Sequence, residues 1–470
     1  MSKFNTKKTI DRVSNLAGGI AFKMDAKTEL VHGVLTTFLE DKFYESGEDR
    51  VTRLQELVKK VPAQFVANLA YVARIEFNLR SVSHLLLGEL AKTHKGDDLV
   101  KRAIVACAIR PDDLTELASY VGKPLTKQVK RGIRNALFKF NRYELAKYKG
   151  EGKGMTMVDL FNMVHPKAQF ANEEQKVAWK DLMEGNLVST DTWESEISKD
   201  ATKETWEKLL MENKMGYMAL LRNLNNFIKY KVSPEALDKA IAVLTDPDKV
   251  KKSKQLPFRF YTAYRNVVGN RKLSNAISEA MDLAVSNTPK LPGRTLIGID
   301  SSGSMRSCID KASIFGATLL KANDESDVIL YDTDIKEFGS SSRAPVVDIA
   351  DRIIKETMGG GTRTALVFDY ASTKALKEGI KYDRIIIISD NESWEEGFYG
   401  HSVQDFYNGY KNKFNVDPFV YAIDIEGYGS KDITSPKVKH LAGWSERLLD
   451  FIGEYEKGND LIKYIEEKKF

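Results

Sequence analysis

The chain has 470 residues, 42% of them hydrophobic and 29% charged, with a formal net charge of +5. That length suggests roughly two to four domains on a prior of about 150 residues each, and the apolar share is enough to give each a core. Cys107 and Cys308 form no CxxC pair, which excludes a disulfide framework or a zinc knuckle. Nowhere do about 18 apolar residues run together to span a bilayer, and the start carries no apolar run of signal length. A reducing, cytoplasmic setting with no membrane partner is expected. The charge is unevenly spread: residues 291–470 hold 23 Lys and Arg against 30 Asp and Glu, leaving 48 against 36 in residues 1–290. A basic part suited to a polyanion is thus joined to an acidic part with other business.

From the start to residue 290 the pattern predicts helix throughout. Val31, Val34, Leu35, Phe38 and Leu39 share one apolar stripe, and Phe65, Leu69 and Val72 repeat it. "SVSHLLLGELAKTH" (Ser81 to His94) adds a serine start signal before a leucine face. Antiparallel helix pairs stacked side by side, as in a solenoid, are the expectation. Between Gly122 and Lys153 stand ten basic residues against only Glu144 and Glu151. On a helix, Lys127, Lys130, Arg131 and Arg134 form a ridge suited to a phosphate backbone. Phe138, Phe140, Tyr143 and Tyr148 interleave with them, and Phe138 is expected to face inward rather than to stack on a base. His165 and Lys167 follow in "LFNMVHPKAQF", where a lone histidine is ordinarily structural. In "MALLRNLNNF", Arg222 and Asn223 read as a hydrogen-bond network between helices. Lys249, Lys251, Lys252 and Lys254 read as a charged loop that is either solvated or helps to thread a strand.

"SNTPKLPGR" (Ser286 to Arg294) breaks the helical pattern and marks the boundary between residues 1–290 and 291–470. Beyond it "RTLIGID", "DVILYD", "RIIIISD" and "DPFVYAID" are short apolar runs that each end in aspartate, as strands covered on both faces do. Helix-length segments between them predict a parallel sheet, which binds ligands beyond the carboxyl ends of its strands. Three polar clusters fall there: Asp300, Ser302 and Ser304 in "IGIDSSGSMR", Thr362 after "MGGG", and Asp390 in "IIIISDNES". A strand-ending aspartate alone is more often a cap, and a Gly-rich run alone more often a turn. In this order and with these oxygen donors, the set suits a hard divalent cation, Mg²⁺ or else Mn²⁺, with an open position for an acidic group of a partner.

At these residues the sequence resembles a known family. Residues 291–470 look like a von Willebrand factor A domain, and the five residues match its metal-ion-dependent adhesion site. "SDNES" departs from the Asp-Gly usual at that point and resembles the Ro autoantigen family, in which a TROVE module precedes the A domain. "NLAGG" (Asn15 to Gly19), "FNLRSVSHLLLGELAK", "MALLRNLNNF" and "LPFRFYTAYRNV" are similar to that family's segments. The resemblance implies a HEAT-like α-helical repeat ring, residues 1–290, closed by the α/β von Willebrand factor A domain. It further implies an RNA quality-control scaffold that binds small noncoding Y-type RNA and takes single-stranded RNA 3′ ends; a monomer is the default expectation, and an exoribonuclease or another acidic protein is the expected partner at the metal. By the same resemblance Lys147, Lys149 and His165 contact RNA, although Gly150 and Glu151 stand where the family carries a basic residue. A metal-dependent adhesion module on a helical scaffold is the alternative. A hydrolase is not expected: the six histidines show no metal-ligand spacing, and Glu392 is the one general base close in sequence.

Overall fold

A computed structural model describes residues 12–15, 19–35, 47–150, 154–168, 171–188, 192–255, 257–323, 325–341, 343–394, 401–428, 430–443, 447–456 and 460–470. The chain divides into two compact units, residues 1–47 with 215–459, and residues 48–214 with 460–470. The change of pattern at Ser286 to Arg294 therefore falls inside the first unit. Phe38, Leu39, Glu151 and Lys153 lie outside the described residues.

In the first unit the Ile- and Val-rich runs pair as expected. Strands β3 (Thr295–Asp300), β4 (Ser326–Tyr331), β5 (Ile335–Glu337), β6 (Arg384–Ser389), β7 (Phe419–Asp424) and β9 (Val438–Ala442) form one sheet in the order β5-β4-β3-β6-β7-β9. All pairings are parallel except β4 with β5. Every residue of β3 and β6 is buried, which is what near-continuous apolar strands flanked by crossover helices require. Gly316, on the helix Ile309–Ala322, lets that helix lie directly on β3, since a Cβ there would fall 2.4 Å from Ile299 Cδ1. Helices Tyr217–Lys229, Pro257–Val267 and Arg271–Ala284 belong to this same unit.

The expectation of helix alone before residue 290 is corrected. Short strands β1 (Arg12–Ser14) and β2 (Ile20–Lys23) pair antiparallel, and β2 pairs in turn with β8 (Ser430–Lys431). Each is two to four residues long, too short for an alternating pattern to register, and their partners are brought in from across the chain. The same region explains "NLAGG". Asn15 Nδ2 donates to the Ser393 carbonyl at 2.6 Å, Gly19 N donates to Asn15 Oδ1 at 2.7 Å, and a Cβ on Gly19 would sit 1.8 Å from that carbonyl. Only glycine fits there.

The second unit is a stack of helical hairpins. Ala63–Ile75 packs on Arg80–Thr93 and on Leu99–Cys107, Arg80–Thr93 on Pro111–Val121, and Leu99–Cys107 on Lys127–Leu137. Thr126, Asn141, Thr156 and Asn172 cap the helices that follow them, supplying acceptors for otherwise unpaired amides. Ser81 is no cap: it lies within the first turn and its hydroxyl donates to Glu116 at 2.8 Å. Asn68 Nδ2 ties the final helix, Leu461–Glu467, to the stack through the Ile465 carbonyl at 2.7 Å. Both cysteines are buried thiols, and burial pushes Cys107 up to about 12. No helix among the described residues is long and apolar enough to cross a membrane.

A buried ionic knot fixes the first hairpins. Asp113 accepts from Arg74 at 2.9 Å, from Arg80 at 2.8 Å and from the amides of Ile109 and Arg110. Asp113→Ala would leave Arg74 buried without its anion, and urea unfolding is expected to show a loss of about 3–5 kcal/mol. At the rim of the knot, His84 and Ser81 hold Glu116 down from 4.5 to about 2. A depressed carboxylate stabilises above its unfolded pKa and loses that contribution as pH falls through the folded one. Wild-type stability should therefore fall with up to one extra proton of pH dependence between 4.5 and about 2, and urea midpoints of Glu116→Gln should lack that component.

Candidate metal centre and basic helix surface

Strand β3 ends at Asp300, and the chain turns at once into a short 3₁₀ segment, Gly303–Ser307. Ser302 N donates to Asp300 Oδ1 at 2.8 Å, and the Ser302 and Ser304 hydroxyls lie 3.2 Å apart. Ser389, the last residue of the adjacent β6, donates to Asp300 Oδ2 at 2.6 Å. Asp390 follows it, with Ser304 hydrogen-bonded to its carboxylate and the charge of Asp300 close by. The Gly-rich loop is laced to the first turn by Gly359 N to Ser301 O at 2.8 Å and Gly303 N to Gly360 O at 2.9 Å. That lacing brings Thr362 in, and Ser393 Oγ and Trp394 N both donate to the Thr362 carbonyl. All five residues singled out as metal ligands are buried at the carboxyl end of the sheet.

Both strand-end carboxylates are costly to ionise here without a positive neighbour. Burial lifts Asp300 to about 6 and Asp390 well above the usual carboxylate range, each also disfavoured by a neighbouring carboxylate. Asp390 Oδ2 is enclosed with no hydrogen-bond partner. Among the described residues no three His, Cys, Asp or Glu side chains converge to hold an ion by themselves, so the hydroxyls of Ser302, Ser304 and Thr362 are needed to complete a donor set. An all-oxygen set of this composition fits Mg²⁺ or Mn²⁺ and disfavours softer metals.

Of the four strand-ending aspartates, two take the capping role. Asp332 accepts from Gly360 N and Asp334 N, and Asp424 from Glu426 N and Gly427 N. A Cβ at Gly360 would fall 2.6 Å from Asp332 Oδ2, so this glycine is where the loop touches the clamp. Ser389, Asp332 and the Asn15 contact to Ser393 were not legible as parts of the site. A serine before the aspartate carries no periodic signal, and the others act from segments far away in sequence.

On the Lys127–Leu137 helix, Val129, Ile133, Ala136 and Leu137 face inward and turn the basic residues outward. Lys127, Lys130 and Arg131 make no side-chain hydrogen bond or ion pair among the described residues. The rest of the proposed RNA set is engaged in part. Arg134 donates to the Val164 carbonyl, Lys147 pairs with Glu194 at 2.9 Å, and Lys149 donates to the Leu187 carbonyl at 3.0 Å. His165 closes the Met157–Val164 helix in a left-handed conformation and is exposed, as is Lys167. Phe138 packs against Trp179 with ring centroids 5.3 Å apart, as its inward expectation required, and Phe140 is buried as well.

In the first unit Asn223 bonds to Ala219 O and Asn226 within its own helix, so it bridges no helices. Arg222 instead lines a cleft of about 440 Å³ with Asn225, Arg259, Thr262 and Asn266 over Leu221 and Phe258. Arg259, Thr262 and Asn266 lie on one exposed side of the Pro257–Val267 helix, a polar spacing in "LPFRFYTAYRNV" that was open to reading. Lys249, Lys251 and Lys252 lie on a short helix, Pro247–Ser253, rather than in a loop, because Asp246 caps it and Pro247 starts it.

Residues 184–284 match the family model described as TROVE domain. The chain is 20% identical over 278 residues to "RNA-binding protein RO60" of Caenorhabditis elegans, covering 55% of this chain and 42% of that one. It is 35% identical over 82 residues to "Telomerase protein component 1" of Mus musculus, covering 17% of this chain and 3% of that one. The chain thus spans less than half the length of the curated relatives it matches. The solved RO (RSR) protein of Deinococcus radiodurans shares its fold, with a TM-score of 0.66, 16% identity, and coverage of 92% of this chain and 100% of that one. The chain thus carries a TROVE match within residues 184–284, is similar in sequence to RO60 across about half its length, and shares the fold of the Deinococcus RO protein.

Proposed function

We propose that this protein binds RNA, taking small noncoding Y-type RNA on the basic helix surface and single-stranded 3′ ends on polar, base-accessible clefts, as a scaffold for RNA quality control. The observation that carries this reading is the ridge of Lys127, Lys130 and Arg131, three cations that pair with no anion among the described residues, on a helix whose other face is core. Ion-paired lysines such as Lys147 must first give up Glu194, so they would contribute less per charge. Arg222, Asn225, Thr262 and Asn266 offer cationic and amide groups over an apolar floor, a combination that suits an unpaired nucleotide. Asp300, Ser302, Ser304, Thr362 and Asp390 would hold a divalent cation, Mg²⁺ or Mn²⁺, which when bound supplies a Lewis-acidic position for a carboxylate of a protein partner such as an exoribonuclease.

The protein acts by binding rather than catalysis in this reading. His94 is engaged by Asp97, His32 by the His440 carbonyl, His440 by the Ile433 carbonyl and His84 by Glu116, which leaves these four in structural roles. Two buried thiols suit a reducing, cytoplasmic setting. The adhesion reading rests on the same buried oxygen cluster and is compatible with RNA binding on other surfaces.

A hairpin RNA with a single-stranded 3′ tail tests the first reading. Affinity should fall steeply with salt, and Lys127→Ala/Lys130→Ala/Arg131→Ala should reduce the slope of log K against log[salt] by about two to three, roughly one for each phosphate that a removed cation had neutralised. An unchanged slope would sink it. For the metal, EDTA or Asp300→Asn should abolish capture of an acidic protein partner by the full chain while hairpin affinity stays within about twofold.

A further inference from the structure

Asp432 lies beyond β8, in the segment that leads from β7 to β9 at the carboxyl end of the sheet, and no motif of the sequence singles it out. Its side chain is 3% exposed, and apart from the Thr364 hydroxyl beside it no hydrogen-bond donor among the described residues reaches either carboxylate oxygen. The charged groups that act on it are Glu392, Asp390 and Asp300, all anionic, and the Thr364 hydroxyl stands beside it. Thr364 precedes the helix Ala365–Glu378 but its side chain caps nothing there, and its buried hydroxyl faces the Asp432 carboxylate instead. The Tyr331 hydroxyl is enclosed in the same place, beside the Ser389 and Thr364 hydroxyls and under the influence of Asp432. Asp432 itself makes no ion pair among the described residues. The nearby His440 is held neutral, with burial taking it down to about 3.

The segment is not loosely placed. The Ile433 carbonyl accepts from His440 Nε2 at 2.8 Å, Ile433 is in the apolar core, and Thr434 N donates to Gln404 Oε1 at 2.8 Å. A pinned, enclosed carboxylate facing other carboxylates is costly unless something positive shares the space. Thr364 also links it to the metal loop. Thr364 N donates to Ser393 Oγ, and Ser393 Oγ donates to the Thr362 carbonyl, both at 3.3 Å.

We propose that Asp432 is a positioning residue of the cation site: from outside the ligand set it compensates the ion's charge and, through Thr364, holds the loop that presents Thr362. The proposal rests on the cation reading of Asp300, Ser302, Ser304, Thr362 and Asp390. It explains why a donor set rich in neutral hydroxyls tolerates a dication in a buried place: the missing negative charge stands one layer back. It also makes the two states of the site opposite in their demands, since Asp432 is a burden without the ion and a contributor with it.

The experiment measures Mg²⁺ and Mn²⁺ binding by calorimetry, and thermal unfolding in EDTA and in Mg²⁺, for the full-length wild type, Asp432→Asn, Asp432→Ser and Asp300→Asn. Outer groups of this kind are worth about 10- to 100-fold in metal affinity. Asp432→Asn and Asp432→Ser should bind Mg²⁺ more weakly by that factor, yet unfold in EDTA at or above the wild-type temperature. Wild-type metal affinity in both variants, or a lower unfolding temperature in EDTA, overturns the role of Asp432 while leaving the site intact. Absence of Mg²⁺ and Mn²⁺ binding by the wild type itself, indistinguishable from Asp300→Asn, overturns the cation reading and this proposal with it.

Discussion

Buried negative charge at the carboxyl end of one parallel sheet is the constraint around which the first unit is arranged. Asp300 and Asp390 stand at the ends of neighbouring strands because β3 and β6 pair in register, so their repulsion is built in by the topology. The fold answers it locally with donors. Ser389, the Ser302 amide and the Ser304 hydroxyl each turn toward a carboxylate, and Asp332 is drawn aside to clamp the glycine loop. Donors of this kind soften a buried charge without cancelling it. That leaves a defined place where unmet negative charge is concentrated.

The basic surface obeys a different logic. A cation on a helix face is valuable to a polyanion only if it is not already satisfied, and the chain distributes its lysines and arginines between the two uses. Arg74 and Arg80 are buried in the knot with Asp113, Arg134 stitches two helices, and Lys139 donates to the Val105 and Ala108 carbonyls. These hold the hairpin stack together. Lys127, Lys130 and Arg131 are left to solvent by the same helix that buries Val129 and Ile133. Counting charges in a sequence window does not separate the two groups, whereas asking what each nitrogen touches does.

Much of this was legible in the sequence because it depends on local pattern. Ile- and Val-rich runs ending in aspartate place β3, β4, β6 and β7, and the spacing of Asp300, Ser302, Ser304, Thr362 and Asp390 predicts the cluster that the sheet gathers. What escaped depends on contacts between distant segments. Strands β1 and β2 are too short to show alternation, Asp432 sits in an irregular stretch, and the duties of Arg134, Lys147 and Lys149 are decided by neighbours 30 to 47 residues away. Ser81 shows the opposite error, a residue type suited to a cap that the structure turns toward Glu116 instead.

The contact between Asn15 and Ser393 spans 378 residues of chain, and the one between Asn68 and Ile465 spans 397. Each unit therefore includes a piece that is distant in sequence from the rest of it. Closing such loops is entropically costly and slow relative to local helix pairing. On the ribosome the hairpins of residues 63–137 can assemble as they emerge, but neither unit can be completed until the last third of the chain has been made. The nascent protein thus passes most of its synthesis with the β2 edge unpaired and one face of the Ala63–Ile75 helix uncovered, the kind of exposed edge and apolar surface that chaperones recognise.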